Sequence, residues 1–385
     1  MTTLSDTLQA YVDDGTLVGA VALVARGDDV EVVATGFVDA EATAPMRRDS
    51  IFRIASLTKP IIAAAAMMLV EDGRLELSSA VSEWLPELAA PMVVRTPVSA
   101  IDDVVPAKRA ITVEDLQTFR CGYGFPSDFS YPAVGLLLSE LLQGPPQPLK
   151  ISPPDEWMAR LRRVPMIAQP GQSWLYNASS DILGVLIARI TGRPLGEFLA
   201  ERIFAPLGMS DTAFFVPAAS LDRFTSSYRP AESGGLELVD PPGGQWSSAP
   251  DFPSGAGGLV STIDDLQAFA RMLLADGSFD GHELLTAVSV RHMTTNHLTP
   301  RQRSDATLFL EGQGWGFGGT VDVDPIDPWN VAGRYGWIGG TGTAWHITPS
   351  TGLATVLLTQ TEMTGPTTPP LMHDFWGYAQ SSRVN

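Results

Sequence analysis

Residues 51–75 read IFRIASLTKPIIAAAAMMLVEDGRL. After Pro60 an uncharged apolar run, residues 61–70, stops at Glu71-Asp72, with Gly73 beyond. A run of alanine, methionine and branched residues that is apolar all round predicts a helix buried at the centre of the molecule and closed at Gly73. It is too short to span a bilayer. At its head stands Ser56-Leu57-Thr58-Lys59. Residues three apart on a helix lie on one face. A serine at a helix N-terminus exposes its hydroxyl beside unpaired N–H groups, whose dipoles favour developing negative charge, and a lysine one turn on reaches the same oxygen. Pro60 fits because the helix has barely begun. A free serine hydroxyl is a poor nucleophile, and a lysine of pKa about 10.4 is a poor base at neutral pH. The apolar flank of Ile51, Phe52 and Ile54 predicts burial that lowers the lysine pKa. Ser56 is therefore the candidate nucleophile and Lys59 its activator.

Outward from this stretch, residues 4–13 have helical spacing. Residues 18–26 and 30–37 are β-branched runs joined by Gly27-Asp28-Asp29, a hairpin signal. From about 85 to 250 proline is dense and strand runs are scarce. A helix over 181–191 ends at Gly192, and 220–254 is loop-like, rich in Pro, Gly and Ser. Residues 261–265 cap a further helix. Strand-like runs then recur at 313–318, 334–338, 343–347 and 353–360, before a final helix near 368–381. The pattern predicts an α/β plus all-α protein. One mixed, mainly antiparallel sheet flanked by helices is built from residues 1–80 and 251–385, with 81–250 inserted as a mainly helical domain. A cleft between the two is the expected place for a site.

Composition narrows the function. With 44% hydrophobic and 18% charged residues the chain reads as globular. A formal charge of −18 repels phosphate backbones and anionic membranes, so nucleic-acid and membrane partners are not expected. One cysteine, Cys121, excludes an internal disulfide and a cysteine metal cluster. The five histidines show no metal-binding spacing, so neither metal nor other cofactor is expected. The first residues carry no basic and apolar leader pattern, which points to the cytoplasm. There is no G-x-S-x-G and no phosphate-binding glycine loop. Of the 25 basic residues only Lys59, Lys108 and Lys150 are lysines, and one of them lies in the most apolar stretch of the chain.

Further segments, in order, carry a resemblance: ITVEDLQTFRCGYG (111–124), WLYNASSDILGVLIARITG (174–192), FAPLGMSDTAFF (204–215), GAGGLVSTIDDLQAFARML (255–273), WIGGTGTAW (337–345) and GLATVLLTQ (352–360). With FRIASLTKP (52–60) they make the chain resemble the serine β-lactamase and penicillin-recognising superfamily, more narrowly class C β-lactamases and the family VIII carboxylesterases. The resemblance implies that Tyr176 assists Lys59, as general base or as proton relay. It implies that the backbone N–H groups of Ser56 and Gly340 form an oxyanion hole, where glycine permits close backbone approach. It also implies substrate contacts at Trp337, Gly339 and Thr341.

Two departures matter. The Tyr-x-Asn of β-lactamases has Ala178 at its third position, with Asn177 pointing elsewhere. The Lys-Thr-Gly strand motif aligns with Trp337-Ile338-Gly339, and no lysine lies beyond Lys150. A nearby arginine such as Arg334 is the one substitute on offer for the missing cation. Trp337, which is otherwise a core tryptophan beside Tyr335 and Trp345, favours neutral apolar groups over carboxylated β-lactams. The sequence thus predicts a serine esterase that cleaves short-chain or small acyl esters through an acyl-enzyme. Amide or D-peptide hydrolysis, β-lactam cleavage, acyl transfer, and a sensor that acylates without turnover are the alternatives. The partner is a small-molecule ester or amide, and the oligomeric state is left open.

Overall fold

A computed structural model describes residues 3–382. Its main sheet has seven strands: β1 (Gly19–Arg26), β2 (Asp29–Gly36), β3 (Gly314–Trp315), β4 (Thr320–Val321), β5 (Tyr335–Gly339), β6 (Thr343–Thr348) and β7 (Leu353–Thr359). Their order is β3-β4-β5-β6-β7-β1-β2, and every neighbouring pair is antiparallel. The expected mixture of directions is confined to isolated bridges outside this sheet, such as the parallel one between Ile51 and Phe224. The first strand of the chain pairs with the last, Ala20 opposite Thr359 and Arg26 opposite Leu353. No strand of this sheet comes from residues 37–313.

Five helices frame the site and the sheet: α1 (Leu4–Asp13), α2 (Thr58–Glu71), α3 (Ala178–Thr191), α4 (Ile263–Leu274) and α5 (Pro370–Ser381). Side chains alternate across a strand. Ala20, Ala22 and Val24 of β1 therefore face one layer with Leu4 and Leu8 of α1 and Met372 and Phe375 of α5. Val21 and Leu23 face the other layer with α2 and α4. A capping box between Thr3 and Asp6 starts α1, and the Tyr11 hydroxyl donates to Asp374 of α5 at 2.6 Å. In α2 every residue from Thr58 to Leu69 is buried, which is why its sequence shows no polar stripe.

Three features bring distant segments to the head of α2. Phe52–Arg53 pairs antiparallel with Val260–Ser261, so residues 254–258 run beside Ala55 and Ser56. The buried Arg53 guanidinium holds the buried Asp240 carboxylate at 2.5 Å. That ion pair anchors a hairpin, Ser227–Pro230 with Leu236–Asp240, inside the stretch that reads as loop. Glu237, Leu238 and Val239 on its second strand are exposed, so it carries no apolar alternation to betray it. Finally, a Cβ at Gly339 would stand 2.6 Å from the Ile54 carbonyl oxygen, so glycine lets β5 lie against the residues ahead of Ser56. A second short ladder, Met92–Val94 with Val104–Pro106, also lies in the proline-dense middle. Among the described residues no helix is long and apolar enough to cross a membrane.

Candidate active site

Ala55–Leu57 form one 3₁₀ turn that runs into α2. Ala55 has φ +42°, a conformation that residues with a Cβ avoid. This bend sets Ser56, partly exposed, at the wall of a cavity. Lys59, in the first turn of α2, is 0% exposed. Its Nζ donates to Ser56 Oγ at 2.8 Å and to the Ala256 carbonyl at 2.6 Å. The Tyr176 hydroxyl reaches the same Ser56 Oγ at 2.8 Å. Trp337 Nε1 donates to the Tyr176 hydroxyl at 2.8 Å.

Tyr176 is held on both sides of its backbone. It exchanges two hydrogen bonds with Phe125, at 2.8 and 2.9 Å. Asn177 then adopts φ +85°, ψ −67°, and the Ala178 N–H donates to the Tyr176 carbonyl at 3.3 Å. This is a γ-turn of the strained positive-φ kind. It turns the chain from Tyr176 straight into α3. The phenol ring stacks on Phe309 at 4.8 Å and leans on Trp337 at 5.5 Å, while the Lys59 ammonium sits 4.7 Å from its centre.

Burial sets the proton affinities. It lowers the Lys59 pKa to about 7, against the opposing attraction of Asp181. It raises the Tyr176 pKa to about 12, against hydrogen bonds from Ser56 and Trp337. At neutral pH the phenol therefore keeps its proton, while the lysine readily gives one up. The arrangement places one hydroxyl between a buried amine able to accept a proton and a phenol able to donate one.

Sequence reasoning did not single out Asp181. It lies in the first turn of α3, buried, and its carboxylate accepts from Gln143 Nε2 at 2.6 Å, Ser254 Oγ at 2.7 Å and the Ala256 N–H at 3.0 Å. Burial raises its pKa, and these donors and Lys59 oppose the rise. Asn177 does point elsewhere: its Nδ2 donates to Gln143 Oε1 at 2.8 Å. The close fit of the turn at residues 254–256 on α3 requires Gly255, where a Cβ would come within 2.3 Å of the Ser180 carbonyl oxygen. The signal was in the sequence as the paired segments YNASSD and SGAGG, whose contact no local pattern reveals.

The cavity measures about 390 Å³ and is lined by Ser56, Tyr176, Trp337, Gly340 and Thr341 with apolar walls from Phe125, Phe129, Leu138, Leu142, Pro146, Ile151 and Phe309. No arginine or lysine is in its lining; its acidic members are Asp181 and Glu362. Trp337 is buried and packs edge-on against Trp315 at 4.9 Å. Gly339 is turned to Ile54 and Ala55 instead of lining the cavity. At Gly340 a Cβ would meet nothing within 4 Å, so the close approach expected there belongs to Gly339. Thr341 Oγ1 donates to the Arg53 carbonyl at 2.6 Å. Arg334 is no substitute cation: it is buried beside Asp322 at 3.5 Å and over the Trp376 ring, outside the cavity lining. Cys121 is a core residue 3.1 Å from Ser179 Oγ, and burial raises its thiol pKa to about 11.

Known proteins resemble this chain over most of its length. Esterase EstB of Burkholderia gladioli is 32% identical over 375 residues, spanning 91% of this chain and 89% of that protein. Lovastatin esterase of Penicillium rubens is 31% identical over 369 residues, 89% of each chain. The solved structure of EstCE1, a hydrolase with promiscuous acyltransferase activity, superposes with a TM-score of 0.80 at 23% identity over 97% of both chains, a likeness of fold. The beta-lactamase family model matches residues 4–371, and the chain belongs to the beta-lactamase family.

Proposed function

We propose that the chain is a serine esterase that cleaves carboxylic esters of short-chain or small uncharged acyl groups. The observation that carries this is Ser56 Oγ standing 2.8 Å from both Lys59 Nζ and the Tyr176 hydroxyl, at a cavity whose lining holds no cationic side chain. The esterase names of two relatives support it.

Ser56 Oγ attacks the acyl carbon while the neutral Lys59 amine takes its proton. The carbonyl π pair moves onto oxygen, where the N–H groups of Ser56 and Gly340 receive it. The pair then returns, the ester C–O bond breaks, and Tyr176 gives its proton to the departing alkoxide. The Lys59 ammonium restores the phenol. Water repeats the sequence on the acyl-enzyme: its proton passes to the same pair, the acyl–Oγ bond breaks, and Ser56 regains a proton as the acid leaves. Because Trp337 donates to the Tyr176 oxygen, the phenol proton is free to point toward Ser56 Oγ or the leaving group.

A β-lactam or D-peptide carboxylate would find no cation in this cavity and would face Glu362. The test compares a short-chain nitrophenyl ester with a chromogenic cephalosporin, in wild type and Ser56→Ala. Fast ester turnover lost in the variant, with little cephalosporin turnover, is expected. Equal ester turnover in Ser56→Ala would overturn the proposal, and a stable stoichiometric adduct without release would make the protein a sensor.

A further inference from the structure

On the esterase reading above, we infer that Asp181 is a positioning residue of the reaction, whose buried carboxylate acts through the backbone of Ala256 to place Lys59 and to hold its proton.

The geometry runs through one residue. Ala256 offers its N–H to Asp181 Oδ1 at 3.0 Å and its carbonyl to Lys59 Nζ at 2.6 Å. Ser254 Oγ binds the same carboxylate oxygen at 2.7 Å, so Asp181 clamps both ends of a three-residue turn. Gly255 between them has no Cβ and lies directly on α3. The carboxylate thereby fixes the position of the only backbone acceptor of Lys59 among its described hydrogen bonds. It also supplies the one attractive charge felt by the buried ammonium.

The surroundings of Lys59 leave few competitors for this role. Tyr176 faces it from the segment ahead of α3 and keeps its proton. Ser56 faces it from the 3₁₀ turn. Gln117, from the helix Val113–Gln117, donates to the Ala63 carbonyl of α2 and brings no charge. Cys121 bonds Ser179 of α3, and its thiol stays protonated because burial raises its pKa. Trp337 from β5 is uncharged. A buried lysine with no nearby carboxylate has its pKa pushed lower still, which makes it a weaker acceptor of the serine proton. Three donors on Asp181, together with Lys59, favour its ionised form against the rise in pKa that burial imposes.

The test is the pH dependence of kcat/KM for a nitrophenyl ester, and of Ser56 labelling by a fluorophosphonate followed by mass spectrometry. Wild type, Asp181→Asn and Ser254→Ala are compared. Loss of the carboxylate charge removes the attraction that favours the ammonium, so the acid limb moves to lower pH in Asp181→Asn by about half a unit or more. Ser254→Ala moves it the same way by less, because a less stabilised carboxylate is more often protonated. In Asp181→Asn kcat falls at least about tenfold with KM nearly unchanged. A merely structural role would lower the rate at every pH without moving the limb. If Asp181→Asn does not fold, Ser254→Ala carries the measurement. An unmoved limb in the folded variants overturns the inference alone. Absence of both turnover and Ser56 labelling in wild type overturns the esterase reading instead.

Discussion

The indole N–H of Trp337 donates to the hydroxyl of Tyr176 at 2.8 Å. One side chain therefore makes an apolar wall for the cavity and fixes a phenol whose oxygen touches Ser56. Replacing Trp337 with Phe keeps the aromatic surface and removes the donor. The lost hydrogen bond is worth about 1–1.5 kcal/mol, so kcat on a nitrophenyl ester should fall roughly tenfold with KM within about twofold. A large rise in KM at unchanged kcat would show that Trp337 serves substrate binding only.

The pH profile follows from the two shifted groups. Lys59 must be neutral to accept the serine proton, and burial brings its pKa to about 7. The rate should rise with pH through that value. Tyr176 acts as a donor and loses its proton only near pH 12. A plateau should therefore extend to at least about pH 10. Initial rates across this span, with stability checked at each pH, test it; a rate that falls between about pH 6 and 8 would contradict the assignment.

The Arg53–Asp240 pair is buried on both sides. Asp240→Ala leaves the guanidinium without its paired carboxylate, with the backbone carbonyls of Thr225, residue 240 and Pro241 as remaining acceptors. Such a break costs about 3–5 kcal/mol. Because Arg53 precedes the Ser56 turn and anchors Thr341, activity should drop along with the unfolding midpoint in urea. A change of less than about 1 kcal/mol would mean the hairpin is held by other contacts.

Asn177 combines a strained turn with a hydrogen bond to Gln143. Asn177→Ala keeps the strain and loses the bond. Asn177→Gly loses the bond and relieves the strain, which is about 1–3 kcal/mol. The glycine variant should be the more stable of the two, by about 1 kcal/mol after its larger entropy cost. Denaturation of both variants decides it; an alanine variant as stable as the glycine one would show that the turn is not strained.

The fold and site were legible to different depths. Ser56 and Lys59 could be read because their relation is local, three residues apart at the head of a helix whose apolar surface is written in the sequence. The sheet could be read because β-branched runs cluster at both chain ends. Tyr176 came into view through a resemblance, since its separation of 120 positions from Ser56 carries no periodic signal. Asp181 and Ala256 did not, because their bond joins a helix start to a loop 75 positions later, and a loop carbonyl has no sequence signature. Gly340 and Gly339 show the limit of reading glycines in a row: the one crowded by Ile54 is identified only once β5 is in place.

The pairing of the first strand with the last sets a timetable for the chain. Arg26 and Leu353, partners at one end of the β1–β7 ladder, lie about 330 residues apart in the chain, so at about 5–20 residues per second the ribosome leaves β1 without β7 for roughly 15–65 seconds. A lone two-stranded hairpin is marginal in water, and Val21 and Leu23 would stay wet throughout. Nascent chains cut short of β7 should therefore bind chaperones and aggregate, and refolding should be slow in keeping with so distant a contact.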